Sequence, residues 1–191
     1  IAAEAGVDDF RITALCSLPV EEAQMYARRG EGPPQRPAVS NFPDDPLAAA
    51  DEYVSDFQDD VDVRVYGDFR QMIAEAPIDA VVVGLPTGLH KDAVLAAAKA
   101  GKHIFCEKPI AMTETDGRRM IQAAEKAGVL LMVGFVRRFD RDWGTMARLV
   151  RSGRIGRPVI WRQMMAGQGP QIPWFLDRKL GGGPFMDGCV H

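Results

Sequence analysis

Ala80-Val81-Val82-Val83-Gly84-Leu85-Pro86-Thr87, then a helical pattern to Ala100, then His103-Ile104-Phe105-Cys106-Glu107-Lys108-Pro109: the reading of this chain turns on that stretch. Its opening run is apolar and rich in β-branched residues, as expected of a strand covered on both faces. From Leu89 to Ala100 the spacing is helical, with Ala93, Val94, Ala97 and Ala98 on one stripe and Gly101 as the stop. A second short apolar run follows at once. Strand, helix and strand at these lengths build a βαβ unit, and such units build parallel sheets.

The pattern continues in both directions. Downstream, Thr113 opens a helix with Asp116 placed to complete a capping box, Gly128 ends it, and Val129 to Val133 reads as a third strand. Upstream, Arg11 to Cys16 reads as a strand and Glu21 to Arg29 as its helix, while Asp68 caps a short helix carrying Met72 and Ile73. Residues 30–62 break the pattern with Pro33, Pro34, Pro37, Pro43 and Pro46 and then many acids. A connection this long is uncommon in a compact domain. It reads as a surface insert with one helix near Leu47 to Phe57. After Gly134 the rhythm changes. Trp143, Met146, Ala147 and Val150 form a helix face ending at Gly153, and Val159 to Met165 is strand-like. These signals predict an α/β fold of Rossmann type, a doubly wound parallel sheet over residues 1–138. The start of a second, α+β domain is expected over 139–191.

Composition excludes several function classes. The 191 residues are 47% hydrophobic and 26% charged with a formal net charge of −3, as in ordinary globular proteins. No Lys/Arg block points to nucleic acid, and no apolar stretch approaches the roughly 18 residues of a membrane span. Cys16, Cys106 and Cys189 lie far apart without metal-ligand or disulfide-framework spacing, so no metal is expected and a reducing, cytoplasmic setting is the reading.

Ligands of open parallel sheets bind beyond the carboxyl ends of the strands. Three such ends carry chemistry here: Leu85-Pro86-Thr87 with His90 soon after, Glu107-Lys108-Pro109, and Gly134-Phe135 with Arg137 and Arg138. A strand that delivers Glu and Lys to its tip must set both where water or a ligand meets them, since unpaired burial is costly. By position alone a plain salt bridge between Glu107 and Lys108 explains them as well as catalysis does.

Four elements in order resemble the glucose-fructose oxidoreductase/inositol dehydrogenase (Gfo/Idh/MocA) family. They are Ile78-Asp79-Ala80-Val81-Val82-Val83 with Pro86 and His90; Ala100-Gly101-Lys102-His103-Ile104-Phe105-Cys106-Glu107-Lys108-Pro109; Gly134-Phe135-Val136-Arg137-Arg138-Phe139; and Gly181-Gly182-Gly183 through Asp187 to His191. The resemblance implies an NAD(P)-dependent dehydrogenase or reductase acting on a sugar, cyclitol or related polyol, and a homo-oligomer for the whole protein. Lys108 would contact the reacting hydroxyl or carbonyl, His191 would be the general acid/base, and Asp187, one helical turn earlier, would hold the substrate and tune both. Arg137 and Trp174 would meet the substrate; Ser17, Leu85, Pro86, Thr87, His90, Glu107 and Lys108 would edge the cofactor. Two other classes fit the same resemblance: an NAD-using glycosidase and a non-catalytic dinucleotide-binding regulator.

Two departures from the family pattern matter. Its first strand and glycine-rich phosphate loop are missing, and Ile1 to Gly6 reads as the tail of the helix after that loop, so the natural protein is expected to be longer. At the tip Leu15-Cys16-Ser17 the acid that meets a ribose 2′-hydroxyl is replaced by Ser17, with no carboxylate until Glu21. Without that charge a 2′-phosphate is less repelled, so of NAD and NADP the latter is preferred.

Overall fold

A computed structural model describes residues 10–30, 55, 62–162, 164 and 173–190. The chain divides into two compact units, 1–79 and 80–191. The expected insert helix near Leu47 to Phe57 lies outside the described residues, apart from Ser55.

In the first unit β1 (Ala14–Cys16) and β2 (Arg64–Tyr66) pair in parallel, with Ala14 opposite Arg64 and Cys16 opposite Tyr66. α1 (Val20–Ala27) follows β1, and α2 (Phe69–Glu75) follows β2. Asp68 caps α2 as its position predicts: its carboxylate accepts the Arg70 amide at 2.7 Å, satisfying a helix-start donor that has no partner within the helix. Met72 and Ile73 are buried beneath that turn. The strand is shorter than the sequence suggests, since residues 11–13 stand outside the ladder apart from the Thr13 carbonyl, which accepts the Arg64 amide.

The second unit holds β3 (Ala80–Val83), α3 (Thr87–Lys99), β4 (His103–Glu107), α4 (Glu114–Ala127) and β5 (Leu131–Gly134). The strands pair in parallel in the order β3-β4-β5. Within each ladder the order is the one expected of a Rossmann sheet. The predicted α3 stripe is the buried one, with Ala93, Val94, Ala97 and Ala98 in the core. Its small side chains bring the helix axis close to β4 and to α4. Val81, Val83, Ile104 and Cys106 face these helices and are buried.

The opposite face corrects an expectation. The strand at Ala80 was to be covered on both sides, yet burial alternates along it and Val82 is 75% exposed. Val82, Phe105 and Met132 occupy one register row on that face. Successive right-handed crossovers in one direction put α3 and α4 on the same side, and among the described residues Val82 and Met132 on the other face are exposed.

Thr113 caps α4 through its hydroxyl, which accepts the Asp116 amide at 3.1 Å, and Gly128 closes the helix with a left-handed φ of 68°. The expected capping box is only half made. The Asp116 carboxylate instead accepts from Lys91 Nζ at 3.2 Å and ties α4 to α3. Beyond a 3₁₀ turn (Val136–Arg138), α5 (Arg141–Arg151) is capped by Asp140, which accepts from the amides of Asp142 and Trp143 at 2.9 Å. The anticipated strand from Val159 to Met165 is not formed in its described residues. Val159 and Ile160 are 84% and 86% exposed, and no described strand pairs with them. Two short helices, α6 (Pro173–Leu176) and α7 (Pro184–Gly188), take the place of the irregular end that the prolines and glycines suggested. Among the described residues no helix is long and apolar enough to cross a membrane.

The Asp116 carboxyl is held below its ordinary value of 3.8, first by the Lys91 hydrogen bond, with Thr113 and Arg119 adding to it and burial opposing. A depressed folded-state pKa gives stability that is fully present above the unfolded value and lost as pH falls through the folded one. Asp116→Asn is therefore expected to lower the urea midpoint modestly at pH 7, and the difference from wild type is expected to close as pH is taken well below 3.8.

Candidate active site

Lys108 stands one residue past the carboxyl end of β4, where a parallel strand must release its chain into the crevice. Its ammonium donates to Asp187 Oδ1 at 2.9 Å and to the Asp187 carbonyl at 3.1 Å. The two side chains are 17% and 27% exposed, so the pair is sheltered and still reachable. An ammonium has three donors. Two are spent on Asp187, and no described residue takes the third.

Asp187 is delivered by α7. Pro184 starts that short helix with its φ already set for it, and the Asp187 amide donates to the Gly183 carbonyl at 3.1 Å. Gly183 and the preceding Gly182 have φ of 89° and 73°, backbone that L side chains adopt only under strain. The helix stops at Gly188, with Cys189 as its C-cap. The one-turn spacing from Asp187 to His191 is therefore not continued as helix, and His191 itself lies outside the described residues.

The other predicted residues fall into distinct groups. Glu107 folds back on its own strand tip, its carboxylate accepting the Lys108 amide at 3.1 Å. Gly134 leaves it room, since a Cβ there would stand 3.2 Å from Glu107 Oε1 and 3.1 Å from the Phe105 ring. Thr87 opens α3 and is buried, and the Leu85 carbonyl oxygen faces the His90 ring. His90, expected at the cofactor's edge, lies within the protein. The ring is 1% exposed, with Nδ1 2.9 Å from the Pro109 carbonyl oxygen and Nε2 2.7 Å from that of Leu85, so both nitrogens face protein backbone. Arg137 also departs from expectation, because its guanidinium stacks on Trp143 at 4.5 Å and not on Lys108 or Asp187. Trp174 packs against Phe175 at 5.5 Å between ring centroids; no described contact joins it to Lys108.

In the first unit, Ser17 has a partner that the sequence argument missed. Its hydroxyl donates to Glu22 Oε2 at 2.6 Å. Counting acids along the chain put the first carboxylate at Glu21, beyond reach of the tip; the first turn of α1 brings Glu22 back to it. A 2′-phosphate at this tip would meet that negative charge, which the linear count of acids left out. The Glu22 carboxylate can only accept, as from hydroxyl groups.

Two further residues were not singled out in advance. The Gly88 amide donates to the Leu180 carbonyl at 3.0 Å, and a Cβ at 88 would stand 2.6 Å from the Lys179 carbonyl oxygen. A glycine at the second position of a helix was the available signal. Through this contact and the Lys108–Asp187 pair, segment 173–190 belongs to the same compact unit as β3 and β4. An open apolar groove of about 690 Å³ runs beside α7, lined by Ile110, Met112, Ile121, Phe135, Phe185 and Met186 among others.

Comparison with known proteins matches this arrangement. The model of an oxidoreductase family with an NAD-binding Rossmann fold fits residues 45–135, and that of the GFO/IDH/MocA C-terminal domain fits residues 143–191. Over 128 residues the chain is 38% identical to the myo-inositol 2-dehydrogenase of Thermotoga maritima, covering 67% of this chain and 38% of that protein. It is 40% identical to the 1,5-anhydro-D-fructose reductase of Ensifer adhaerens, over 64% of this chain and 38% of the relative. The crystal structure of aldose-aldose oxidoreductase from Caulobacter crescentus complexed with glycerol superposes with a TM-score of 0.52 at 37% identity, over 66% of this chain and 38% of that one. The chain thus spans 38% of the length of these relatives.

Cys106 sits two residues before Lys108, and burial, then the Glu107 charge, pushes its thiol up to about 12. Only the thiolate alkylates readily. Iodoacetamide treatment of the native protein at pH 7.5, read by peptide mass spectrometry, is expected to modify exposed Cys189 and leave Cys106 intact until denaturant is added.

Proposed function

Because this chain belongs to the GFO/IDH/MocA oxidoreductase family, we propose that the whole protein is a dehydrogenase or reductase that moves a hydride between a nicotinamide dinucleotide and a sugar, cyclitol or related polyol. The single observation that carries the reading is the Lys108 ammonium, anchored by two bonds to Asp187 at the mouth of a parallel sheet. Its third N–H is the donor offered to the reacting oxygen of the substrate. A hydrogen bond from an ammonium to that oxygen strengthens as negative charge builds on it, which lowers the barrier to hydride transfer in either direction. Asp187 fixes the direction of that donor and, in this reading, accepts a neighbouring substrate hydroxyl. His191 is proposed as the group that takes or returns the hydroxyl proton, a role suited to imidazole near neutral pH. The names of the relatives, a myo-inositol 2-dehydrogenase and a 1,5-anhydro-D-fructose reductase, support the polyol class of substrate.

The dinucleotide, when bound, supplies the hydride acceptor or donor. Ser17 and Glu22 are proposed to hold the adenosine ribose through its two hydroxyls, so NAD is preferred over NADP. Leu85, Pro86 and Glu107 are proposed as further cofactor contacts, and Trp174 as a substrate contact. The boundary near Arg138 between a dinucleotide-binding and a substrate domain forms part of the same proposal, as does a homo-oligomer.

Two outcomes are expected in the whole protein. Lys108→Ala should lower kcat about 10²- to 10⁴-fold with a polyol substrate, measured at 340 nm, while dinucleotide affinity by calorimetry is retained; undiminished turnover would remove Lys108 from the chemistry. Wild-type kcat/KM should favour NADH over NADPH, and Glu22→Gln should shrink that preference about fivefold or more, the effect of removing one charge near a phosphate.

A further inference from the structure

The first turn of α3 reaches the two segments that carry the Lys108–Asp187 pair, at Pro109 beside Lys108 and at Leu180 ahead of α7, without touching Lys108 or Asp187 themselves. On one side His90, buried and rigid, sets its ring between the carbonyl oxygens of Leu85 and Pro109, at 2.7 and 2.9 Å. Pro109 is the residue bonded to Lys108. On the other side the Gly88 amide holds the Leu180 carbonyl at 3.0 Å, at the start of the glycine-rich turn that leads into α7 and Asp187. The backbones approach there so closely that any side chain at 88 would strike the Lys179 carbonyl.

We propose that this turn is a bracket that sets the spacing of Lys108 and Asp187, with His90 as its positioning residue. The proposal rests on the role given above to Lys108 and goes beyond it, since His90 touches no reactant. The chemistry of the ring supports the assignment. Carbonyl oxygens only accept, and imidazole carries potential donors on opposite edges of a flat ring of fixed width. A neutral ring donates to one of the two carbonyls and a protonated ring to both. In either form the ring spaces the β3–α3 turn from the β4 tip. An aliphatic side chain of similar volume fills the hole but offers no N–H, so whichever carbonyl the ring served loses its donor and the tip must shift to regain one. Displacement of a reacting group by about 1 Å costs roughly 100-fold in rate.

The test uses the whole protein with His90→Leu, His90→Gln and, for the other arm of the bracket, Gly88→Ala. His90→Leu is expected to lower kcat roughly 100-fold with KM for the polyol and dinucleotide affinity little changed, and its crystal structure should show Lys108 Nζ to Asp187 Oδ1 beyond the 2.9 Å of the native pair. His90→Gln, which restores N–H donors, should recover much of the rate. A His90→Leu variant that keeps both the native distance and kcat overturns the proposal, as does a loss of rate at unchanged distance that Gln does not relieve. Should His90→Leu fail to fold, the same lengthening is expected in Gly88→Ala, and a native distance there is equally fatal. Full activity in Lys108→Ala would instead bring down the hydride-transfer reading, while the distances in the His90 and Gly88 variants would still decide the bracket.

Discussion

β4 is hydrogen-bonded along both edges, Val83 standing opposite Cys106 on one side and Gly134 opposite Glu107 on the other. A strand held in this way has no freedom to slip, because a one-residue shift would reverse its buried and exposed faces. Its carboxyl end is therefore the best-fixed point of the second unit, and Glu107, Lys108 and Pro109 inherit that rigidity. The helices, the glycine-rich turn and α7 are arranged around this tip, and the close approach at Gly134 shows how little room remains beside it.

Charge at the tip is handled by direct pairing. Glu107 turns onto the Lys108 amide and Lys108 onto Asp187, and among the described residues no buried side-chain nitrogen or oxygen lacks a partner. A partly exposed ion pair contributes little to stability, on the order of 0–1 kcal/mol. The value of Lys108–Asp187 lies in orientation: two of three ammonium donors are committed, and the last has a defined direction. The Lys91–Asp116 bridge, by contrast, joins the N-terminal parts of α3 and α4.

Legibility followed sequence distance. The α3 stripe, the Asp68 cap, the Gly128 stop and the β3-α3-β4-α4-β5 order are consequences of local periodicity and capping chemistry, and each could be read from neighbouring residues. The motif placing Asp187 near Lys108 was legible through resemblance, and no local rule would have found it. Features that depend on what packs against what were misread. An apolar run like Ala80 to Val83 looks the same whether one or two layers cover it. The stacking of Arg137 on Trp143 could not be read either, because Trp143 lies in the next element. Ser17 looked uncharged because the turn into α1 that returns Glu22 is invisible to linear counting. His90 was noticed for its chemistry, whereas its burial between two carbonyls is a tertiary fact. Val159 to Met165 has the pattern of a strand, but a strand forms only where an edge receives it.

Cys106 lies in the middle of this fixed ladder, two residues from the ammonium. Peroxide attacks sulfur as thiolate, and the first product, a sulfenic acid, is polar and larger than the thiol. A buried sulfur kept protonated is withdrawn from that chemistry, so oxidants have no easy route to swelling the strand and displacing its Glu107-Lys108-Pro109 end. The shape of the mouth is thereby insulated from the redox state of its surroundings.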